Sequence, residues 1–178
     1  MNLYTADQHF GHSNVIRFDH RPFLDVEGMD SCLIKLWNER VQRDDMVYIL
    51  GDICYRGNKL PSWYLKQLKG RKVLIKGNHD GVTLKDKEAL KLLEGVESLL
   101  EISDDGKRIV MCHYPLAEWP GFFRGAYHIY GHIHNNKNVA YDVMKQFDTA
   151  LNAGCMINGY APASLNELIR NNKTFKES

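Results

Sequence analysis

The stretch Gly77-Asn78-His79-Asp80 follows the short segment Lys72 to Ile75, which has the composition of a strand. The stretch Gly131-His132-Ile133-His134 follows the strand-like segment Tyr127 to Tyr130 in the same way. Both stretches place amide or imidazole side chains directly after a strand, beside a glycine that lets the backbone approach closely. Polar side chains in that position are typical of an α/β protein that binds its ligand beyond the carboxyl ends of its strands.

Three more segments also lie where a predicted strand ends: Asp7-Gln8-His9, Gly51-Asp52 and Cys112-His113. In an extended strand, residues spaced by two point to the same side, so we expect Asp7 and His9 to share a face, and His132 and His134 likewise. Asp52 is the candidate bridge, because a carboxylate can bind two cations with its two oxygens. The seven candidate metal ligands are Asp7, His9, Asp52, Asn78, His113, His132 and His134.

The ligand types indicate the kind of metal site. Carboxylate, amide and imidazole groups suit Mn, Fe, Zn or Ni better than a thiolate-bound structural zinc. The four cysteines stand alone without a CxxC pair, so we interpret them as small buried hydrophobic residues rather than as a disulfide framework or a thiolate zinc site. We expect two divalent cations, with Mn²⁺ favoured and Fe, Zn, Ni or Mg as alternatives.

The whole chain sets further bounds. Its 178 residues suit one domain, 1–178, with no cap domain. The formal net charge of +1 argues neither for nor against nucleic acid. No apolar run approaches the roughly 20 residues of a membrane span, and no secretory signal opens the chain, so we expect a cytoplasmic protein without membrane contact. The oligomeric state is open.

Periodicity predicts strand–helix alternation followed by a strand-rich half. Helices are expected over Val26 to Val41, with Asp25 as N-cap, and over Pro61 to Leu68, Leu84 to Leu93 and Ser164 to Arg170. Strands are expected over Asn2 to Ala6, Met46 to Leu50, Lys72 to Ile75, Val96 to Ile102, Lys107 to Cys112, Tyr127 to Tyr130 and Thr149 to Ala153. The turn Asp104-Asp105-Gly106 is a hairpin signal. The pattern predicts an α/β fold in which sheet packs on sheet and helices lie outside.

Taken in the order in which they occur along the chain, the five motifs resemble those of the calcineurin-like metallophosphoesterase superfamily. Four further strings resemble a compact bacterial and phage-type branch: Phe10-Gly11-His12, Arg21-Pro22-Phe23, Leu151-Asn152-Ala153-Gly154 and Tyr160-Ala161-Pro162. The resemblance implies a four-layer α/β/β/α sandwich of two mixed sheets flanked by helices. It also implies a first ion held by Asp7, His9, Asp52 and His134, and a second held by Asp52, Asn78, His113 and His132.

The expected function is metal-dependent hydrolysis of a phosphodiester or a nucleotide-like phosphoester, through attack by a hydroxide that bridges the two ions. In this hypothesis His79 is catalytic and either protonates the leaving oxygen or donates a hydrogen bond to the phosphate, while Asp80 orients its imidazole. The alternatives are a phosphomonoesterase acting on a small ester and a non-catalytic metal-binding interaction module. A nuclease is disfavoured because no basic stretch with interleaved aromatic residues is present.

Three residues are candidates for binding the substrate. Arg21 could grip a phosphate with two hydrogen bonds. His12 could touch the substrate or cap the following helix. Tyr114 could line the site or pack in the core.

Overall fold

The computed structural model describes residues 1–178, which form two four-stranded sheets and six α-helices. The strands are β1 (Asn2–Thr5), β2 (Met46–Ile49), β3 (Arg71–Ile75), β4 (Gly95–Glu97), β5 (Leu99–Asp104), β6 (Lys107–Cys112), β7 (Tyr127–Tyr130) and β8 (Ala150–Asn152). The helices are α1 (Ser13–Phe18), α2 (Val26–Arg40), α3 (Pro61–Leu65), α4 (Lys87–Leu90), α5 (Val139–Met144) and α6 (Leu165–Glu177). Short 3₁₀ helices cover Phe122–Arg124 and Cys155–Asn158.

The first sheet has the order β1-β2-β3-β4, and every pair in it is parallel. The expectation of two mixed sheets is therefore wrong for this one. Its consecutive strands are joined through helices, and a crossover of that kind returns the chain in the same direction. Leu3, Val47 and Ile49 of this sheet share a buried cluster with Leu33 and Trp37 of α2.

The second sheet has the order β5-β6-β7-β8, with an antiparallel β5/β6 pair and parallel pairs thereafter. One buried cluster contains Tyr4 and Tyr48 of the first sheet together with Met111, Ile129 and Leu151 of the second. The two sheets therefore pack against each other, as the sequence predicted.

A third cluster lies on the other side of the second sheet. There Val110 of β6 and Tyr130 of β7 share buried surface with Tyr141 and Met144 of α5. The α/β prediction is confirmed at the level of two sheets with helices packed against them.

The predicted strand Val96 to Ile102 is wrong as a single element. The chain pairs with β3 up to Glu97 and enters the second sheet at Leu99, so the segment divides between two sheets at Ser98. Strand periodicity does not reveal which neighbour a residue pairs with. The hairpin is present, with Asp105 (φ 50°) and Gly106 (φ 72°) both left-handed at its turn, as a tight right-twisted hairpin requires.

Three helices have ends that differ from the predicted ones by more than one residue, and at two of them a capping side chain sets where the helix begins. The helix expected from Leu84 begins only at Lys87, because the carboxylate of Asp86 accepts the amide protons of Glu88 and Ala89 as an N-cap. α3 ends at Leu65 rather than at Leu68. α6 runs on to Glu177 behind a capping box formed by Ser164 and Glu167.

α1 and α5 were not predicted, since six residues each carry too little periodicity. The predicted N-cap of α2 is confirmed, because the Asp25 carboxylate accepts the amide of Gly28 at 2.7 Å. All four cysteines are free thiols, but only Cys54 and Cys155 are buried, so the interpretation as buried hydrophobic residues holds for those two and not for the half-buried Cys32 and Cys112. None of the helices combines the length and apolar character that crossing a membrane would demand.

Candidate metal site

The seven candidate ligands meet at one place, where β1, β2, β3, β6 and β7 end. One half of the site contains His9 and His134, whose Nε2 atoms lie 3.2 Å apart. Nε2 of His134 is also 3.9 Å from a carboxylate oxygen of Asp7. Ligand atoms of these three side chains all lie within 4.8 Å of one another, which is close enough to share one cation.

The other half contains Asn78, His113 and His132. The amide oxygen of Asn78 lies 3.0 Å from Nε2 of His113 and 3.0 Å from Nδ1 of His132. The three side chains come from the ends of β3, β6 and β7, so strands of both sheets contribute to this half.

Two carboxylates lie between the halves. An oxygen of Asp52 is 3.7 Å from Nε2 of His9 and 3.6 Å from Nε2 of His113. Asp7 has ligand atoms within 4.8 Å of those of His9 and His134 on one side and of Asp52 and His113 on the other. The central position that the sequence assigned to Asp52 is therefore shared by Asp7.

Hydrogen bonds fix where the imidazole lone pairs point. Nδ1 of His113 lies 2.7 Å from the carbonyl of Leu50 and must donate to it, which leaves Nε2 with a lone pair. That lone pair faces the amide oxygen of Asn78 at 3.0 Å. Two acceptors at this distance repel each other unless a cation lies beside them, so the local chemistry fits a bound metal.

His134 is oriented in the same way. Its Nδ1 lies 2.8 and 2.7 Å from the two carboxylate oxygens of Asp19, so the proton is held there and Nε2 faces the site. Asp19 was not among the sequence candidates. It ends α1 and lies 115 residues from His134, and nothing in its local sequence indicates the pairing.

Burial shapes the charge of the site. Loss of hydration raises the pKa of Asp7 to about 6, although His134 and His113 oppose that rise. Burial lowers the pKa of His9 far below the usual range, and the neighbouring His134 and Arg21 lower it further. His9 is therefore neutral, as a metal ligand must be. A buried carboxylate beside the neutral imidazole of His9 is stabilised by a cation.

The backbone of the site is largely left-handed. The ligands with positive φ are Asp7 (60°), His9 (54°), Asp52 (55°), His132 (71°) and His134 (51°). The expectation that Asp7 and His9, or His132 and His134, share the face of an extended strand is wrong, because β1 ends at Thr5 and β7 ends at Tyr130. Such conformations cost roughly 1–3 kcal/mol each and tend to cluster at functional sites.

Two glycines let the loops approach closely. A Cβ on Gly131 would lie 2.6 Å from the Cβ of Ala6 and 3.0 Å from a carboxylate oxygen of Asp7. A Cβ on Gly51 would lie 2.5 Å from Nδ1 of His113. The close approach that the sequence suggested at Gly131 is present in the structure.

Asp80 has a different role from the predicted one. Its carboxylate is fully buried and accepts the backbone amides of Gly77 (2.7 Å), Asp52 (2.9 Å) and Ile53 (3.1 Å). All these contacts are to backbone, so Asp80 ties the loop after β2 to the loop after β3 and does not orient the imidazole of His79.

Arg21 also differs from its prediction. Its guanidinium is fully buried and donates to the carbonyls of Asp7 (2.9 Å) and Gln8 (2.8 Å), and to Asp19 at 3.0 Å. Its Nε donates to Asp19 as well (3.1 Å) and its remaining N–H is directed at the sulfur of Met29 (3.8 Å), so none of the five donors is left for a phosphate. Arg21 instead supports the left-handed turn that carries Asp7, while also pairing with the carboxylate that orients His134.

A cavity of about 350 Å³ opens over the candidate ligands. One wall carries His12, Tyr55 and the half-buried His79, with the Tyr55 ring 4.1 Å from that of His12 and 5.0 Å from that of His79. His12 occupies the N-cap position of α1 but makes no capping hydrogen bond, so the structure places it as a cavity wall. Tyr114 is 44% exposed and does not line this cavity, although its ring is 4.8 Å from that of His132.

Asn152 is buried and supports the site from behind. Its side chain donates to the carbonyl of His134 at 2.7 Å and accepts the amide of Gly154 at 2.8 Å. Asn172 of α6 in turn accepts the amide of Asn152 (2.7 Å) and donates to its carbonyl (2.9 Å). α6 therefore contacts the strand end that positions His134.

Comparison with known proteins finds relatives whose sequences are 32–35% identical to this chain over the aligned residues. The uncharacterized protein MJ1445 of Methanocaldococcus jannaschii is 32% identical over 167 residues, which are 93% of this chain and 87% of that protein. The gene 66 protein of Mycobacterium phage L5 is 35% identical over 109 residues, or 60% of this chain and 52% of that protein. No family model matches the chain.

Among solved structures, the protein of unknown function AQ665 from Aquifex aeolicus has a TM-score of 0.73 at 28% identity and covers 96% of this chain and 98% of its own. The phosphoesterase Yfce from E. coli reaches a TM-score of 0.46 at 14% identity, over 86% and 77% of the two chains. The AQ665 protein therefore has this fold along nearly its whole length, whereas the likeness to Yfce is too distant to support an inference about function.

Proposed function

This chain belongs to the same protein family as MJ1445 of Methanocaldococcus jannaschii, and we propose from the geometry of its candidate site that it is a metal-dependent phosphoesterase. The proposal implies that the family includes such enzymes. The proposed reaction is hydrolysis of a phosphodiester or nucleotide-like ester. One observation carries the proposal: imidazole lone pairs and two buried carboxylates converge beneath an open cavity whose wall bears a further histidine, His79.

The residues present fit two divalent cations. We assign one to Asp7, His9, Asp52 and His134, and the other to Asp52, Asn78, His113 and His132. Nitrogen and oxygen donors of this mixture suit Mn²⁺, with Fe, Zn, Ni or Mg as alternatives. When bound, two such cations lower the pKa of a water molecule and withdraw charge from phosphoryl oxygens.

Other groups of the chain orient the candidate ligands and supply a proton in the proposed reaction. Asp19 and the carbonyl of Leu50 hold the protons of His134 and His113 away from the cavity. The amide of His79 donates to Asp52 at 2.8 Å and fixes that carboxylate, while its imidazole lies in the cavity wall. In the proposed reaction this imidazole gives its proton to the leaving oxygen of the ester.

The architecture supports the resemblance to the calcineurin-like metallophosphoesterase superfamily. The three hydrophobic clusters indicate helices, sheet, sheet and helices in succession, and we infer from them the four-layer α/β/β/α sandwich. We also infer a single domain over 1–178 with no cap, which leaves the cavity open to esters with large groups on both sides.

The test uses protein stripped of metal and reloaded with Mn²⁺, with bis(p-nitrophenyl) phosphate and p-nitrophenyl phosphate as substrates. We expect about two bound ions per chain by elemental analysis and metal-dependent turnover of the diester. Asp52→Asn should lose bound metal, whereas Asp44→Asn, which changes an exposed aspartate, should retain it. Preference for the monoester would indicate a phosphomonoesterase. Full metal occupancy without turnover of either ester would contradict the proposal and indicate a binding module.

A further inference from the structure

A second cavity, which we call the basic groove, adjoins the candidate site and has a volume of about 440 Å³. Two segments that are apart in sequence form it, one after β2 and the other before and within α4. Its positively charged residues are Arg56, Lys59, Lys85 and Lys87. The remaining lining residues that matter here are Tyr55, Leu60, Pro61, Val82, Asp86 and Glu88.

The positive charges of the groove are not neutralised by ion pairs. All ion pairs in the structure involve other cations, so none of the four lies within 4.0 Å of a carboxylate. Of the two acidic residues in the lining, Asp86 accepts the amides of Ser62, Glu88 and Ala89 as a helix cap. Glu88 is paired with Lys91 at 2.6 Å. The groove is therefore positive in a chain whose net charge is only +1.

Tyr55 joins the groove to the candidate site, because it lines both cavities. Its ring is 5.0 Å from that of His79. In the proposed function, His79 protonates the leaving oxygen. The basic groove thus begins on the side of the site where the leaving group departs, and a leaving group with further negative charge would extend into it.

The groove also offers surfaces for bases. Tyr55, Leu60 and Val82 supply aromatic and aliphatic faces beside the cations. Next to it, the indole of Trp63 is 43% exposed and has the ammonium of Lys59 5.1 Å from its centre. A positive groove with stacking surfaces is the combination that binds single-stranded nucleic acid, whereas a bare polyphosphate needs cations alone.

We propose that the basic groove binds the phosphate backbone of a short single-stranded oligonucleotide whose reacting phosphodiester lies over the candidate metal site. This inference rests on the proposed function and names its substrate class. In the reaction, the oxygen of a water molecule forms a bond to phosphorus and the bond from phosphorus to the leaving strand breaks. The leaving oxygen takes a proton, so the products are a phosphate-ended strand and a strand with a free hydroxyl.

The sequence did not indicate this surface, because it contains no continuous basic stretch. Arg56 and Lys59 lie some 30 residues before Lys85 and Lys87, and only the fold brings them to one groove. The absence of a local basic motif, which disfavoured a nuclease in the sequence, therefore carries no weight against a nucleic-acid substrate.

The test measures binding of fluorescein-labelled oligothymidylate, eight nucleotides long, to metal-free protein by fluorescence anisotropy at several salt concentrations. We expect affinity to fall steeply with salt. In Arg56→Gln, Lys85→Gln and Lys87→Gln, affinity should fall severalfold, and the slope of log affinity against log salt should decrease in magnitude by about 0.7 per substitution. Lys107→Gln and Lys145→Gln, which change cations elsewhere on the surface, should bind as the unsubstituted protein does.

Two results would overturn the inference: affinity that is equal in the groove variants and the controls, or inorganic tripolyphosphate that competes as well as unlabelled oligothymidylate at equal phosphate concentration. Turnover of bis(p-nitrophenyl) phosphate by the unsubstituted Mn²⁺-loaded protein is measured in parallel, since this ester carries no further phosphate to reach the groove. If that turnover persists while groove-dependent binding fails, the inference falls and the proposed function stands. If groove-dependent binding persists without turnover, the proposed function falls.

Discussion

Nδ1 of His134 donates a hydrogen bond to the carboxylate of Asp19, 115 residues earlier in the sequence, and lies 2.8 and 2.7 Å from its two oxygens. The same carboxylate pairs with the buried guanidinium of Arg21 at 3.0 Å. These contacts hold the pKa of Asp19 below its usual value, because the hydrogen bond and charge of His134 and the charge of Arg21 outweigh the loss of hydration that would raise it. Asp19 is thus ionised and fixes the tautomer in which Nε2 of His134 faces the candidate metal site.

Asp19→Asn should weaken cation binding without removing any ligand. Loss of a carboxylate that orients a metal-bound histidine typically costs 10- to 100-fold in metal affinity. Titration calorimetry with Mn²⁺ measures this. Asp44→Asn, at an exposed position, is the matched control and should bind as the unsubstituted protein does. Unchanged affinity in Asp19→Asn would show that the imidazole is held in place by packing alone.

His79→Asn should reduce the turnover of bis(p-nitrophenyl) phosphate by about 10²- to 10⁴-fold, because the leaving oxygen loses its proton donor. The metal content should stay that of the unsubstituted protein. His20→Asn changes an exposed histidine and is the control. Turnover within twofold of the unsubstituted enzyme in His79→Asn would exclude the imidazole as the donor.

Arg21→Gln should act on stability and not on substrate affinity. Removing the guanidinium leaves Asp19 without its buried partner and frees the carbonyls of Asp7 and Gln8, which we expect to lower the free energy of unfolding by about 3–5 kcal/mol. Urea unfolding measures this, with the exposed Arg124→Gln as control. A raised KM at unchanged stability would instead restore the predicted role of Arg21 in gripping a phosphate.

His128 gives the fold a sensitivity to acid. Burial lowers its pKa to about 4, although its contact with the Val110 carbonyl opposes the change. The neutral ring is satisfied on both sides, since Nδ1 donates to Val110 (3.1 Å) and Nε2 accepts the amide of Leu116 (3.1 Å). Between pH 6.5 and 4 the unfolded chain binds a proton that the folded chain does not, so stability falls as the pH falls through that window.

The loss of folding free energy assigned to His128 is at most about 3.5 kcal/mol across the window, because lowering a pKa by one corresponds to about 1.4 kcal/mol. His128→Gln cannot titrate there, so its free energy of unfolding should depend less on pH between 6.5 and 4 than that of the unsubstituted protein. Urea unfolding at several pH values compares the two slopes, whatever their absolute stabilities. Equal slopes, or an NMR titration that gives His128 an ordinary pKa, would contradict this account.

Much of the architecture was readable because strands and caps are local features. β1, β2, β3 and β7 begin and end within a residue or so of the predicted bounds, and Asp25 caps α2 as expected. The division at Ser98 was not readable, because pairing partners lie in other parts of the chain. α1 and α5 were missed because two turns of helix give no reliable period.

The sequence indicated the candidate ligands of the site, but not the residues that hold those ligands in position. Aspartates, histidines and an asparagine that follow strands are visible in the sequence, and the structure brings these seven candidates together. The left-handed backbone at Asp7 and His134 is set by tertiary contacts, so strand periodicity gave the wrong reason for their shared direction. Asp19 and Arg21 act through partners far along the chain, and no local pattern marks them.

Asn172 of α6 contacts Asn152, which contacts the carbonyl of His134, so this support of the site comes from a part of the chain that is synthesised after the candidate ligands. α6 is made after every candidate ligand, so a nascent chain can expose its aspartates and histidines before the helix that steadies them has left the ribosome. The arrangement of the candidate ligands around His134 is therefore completed only when α6 has packed, late in the synthesis of the chain.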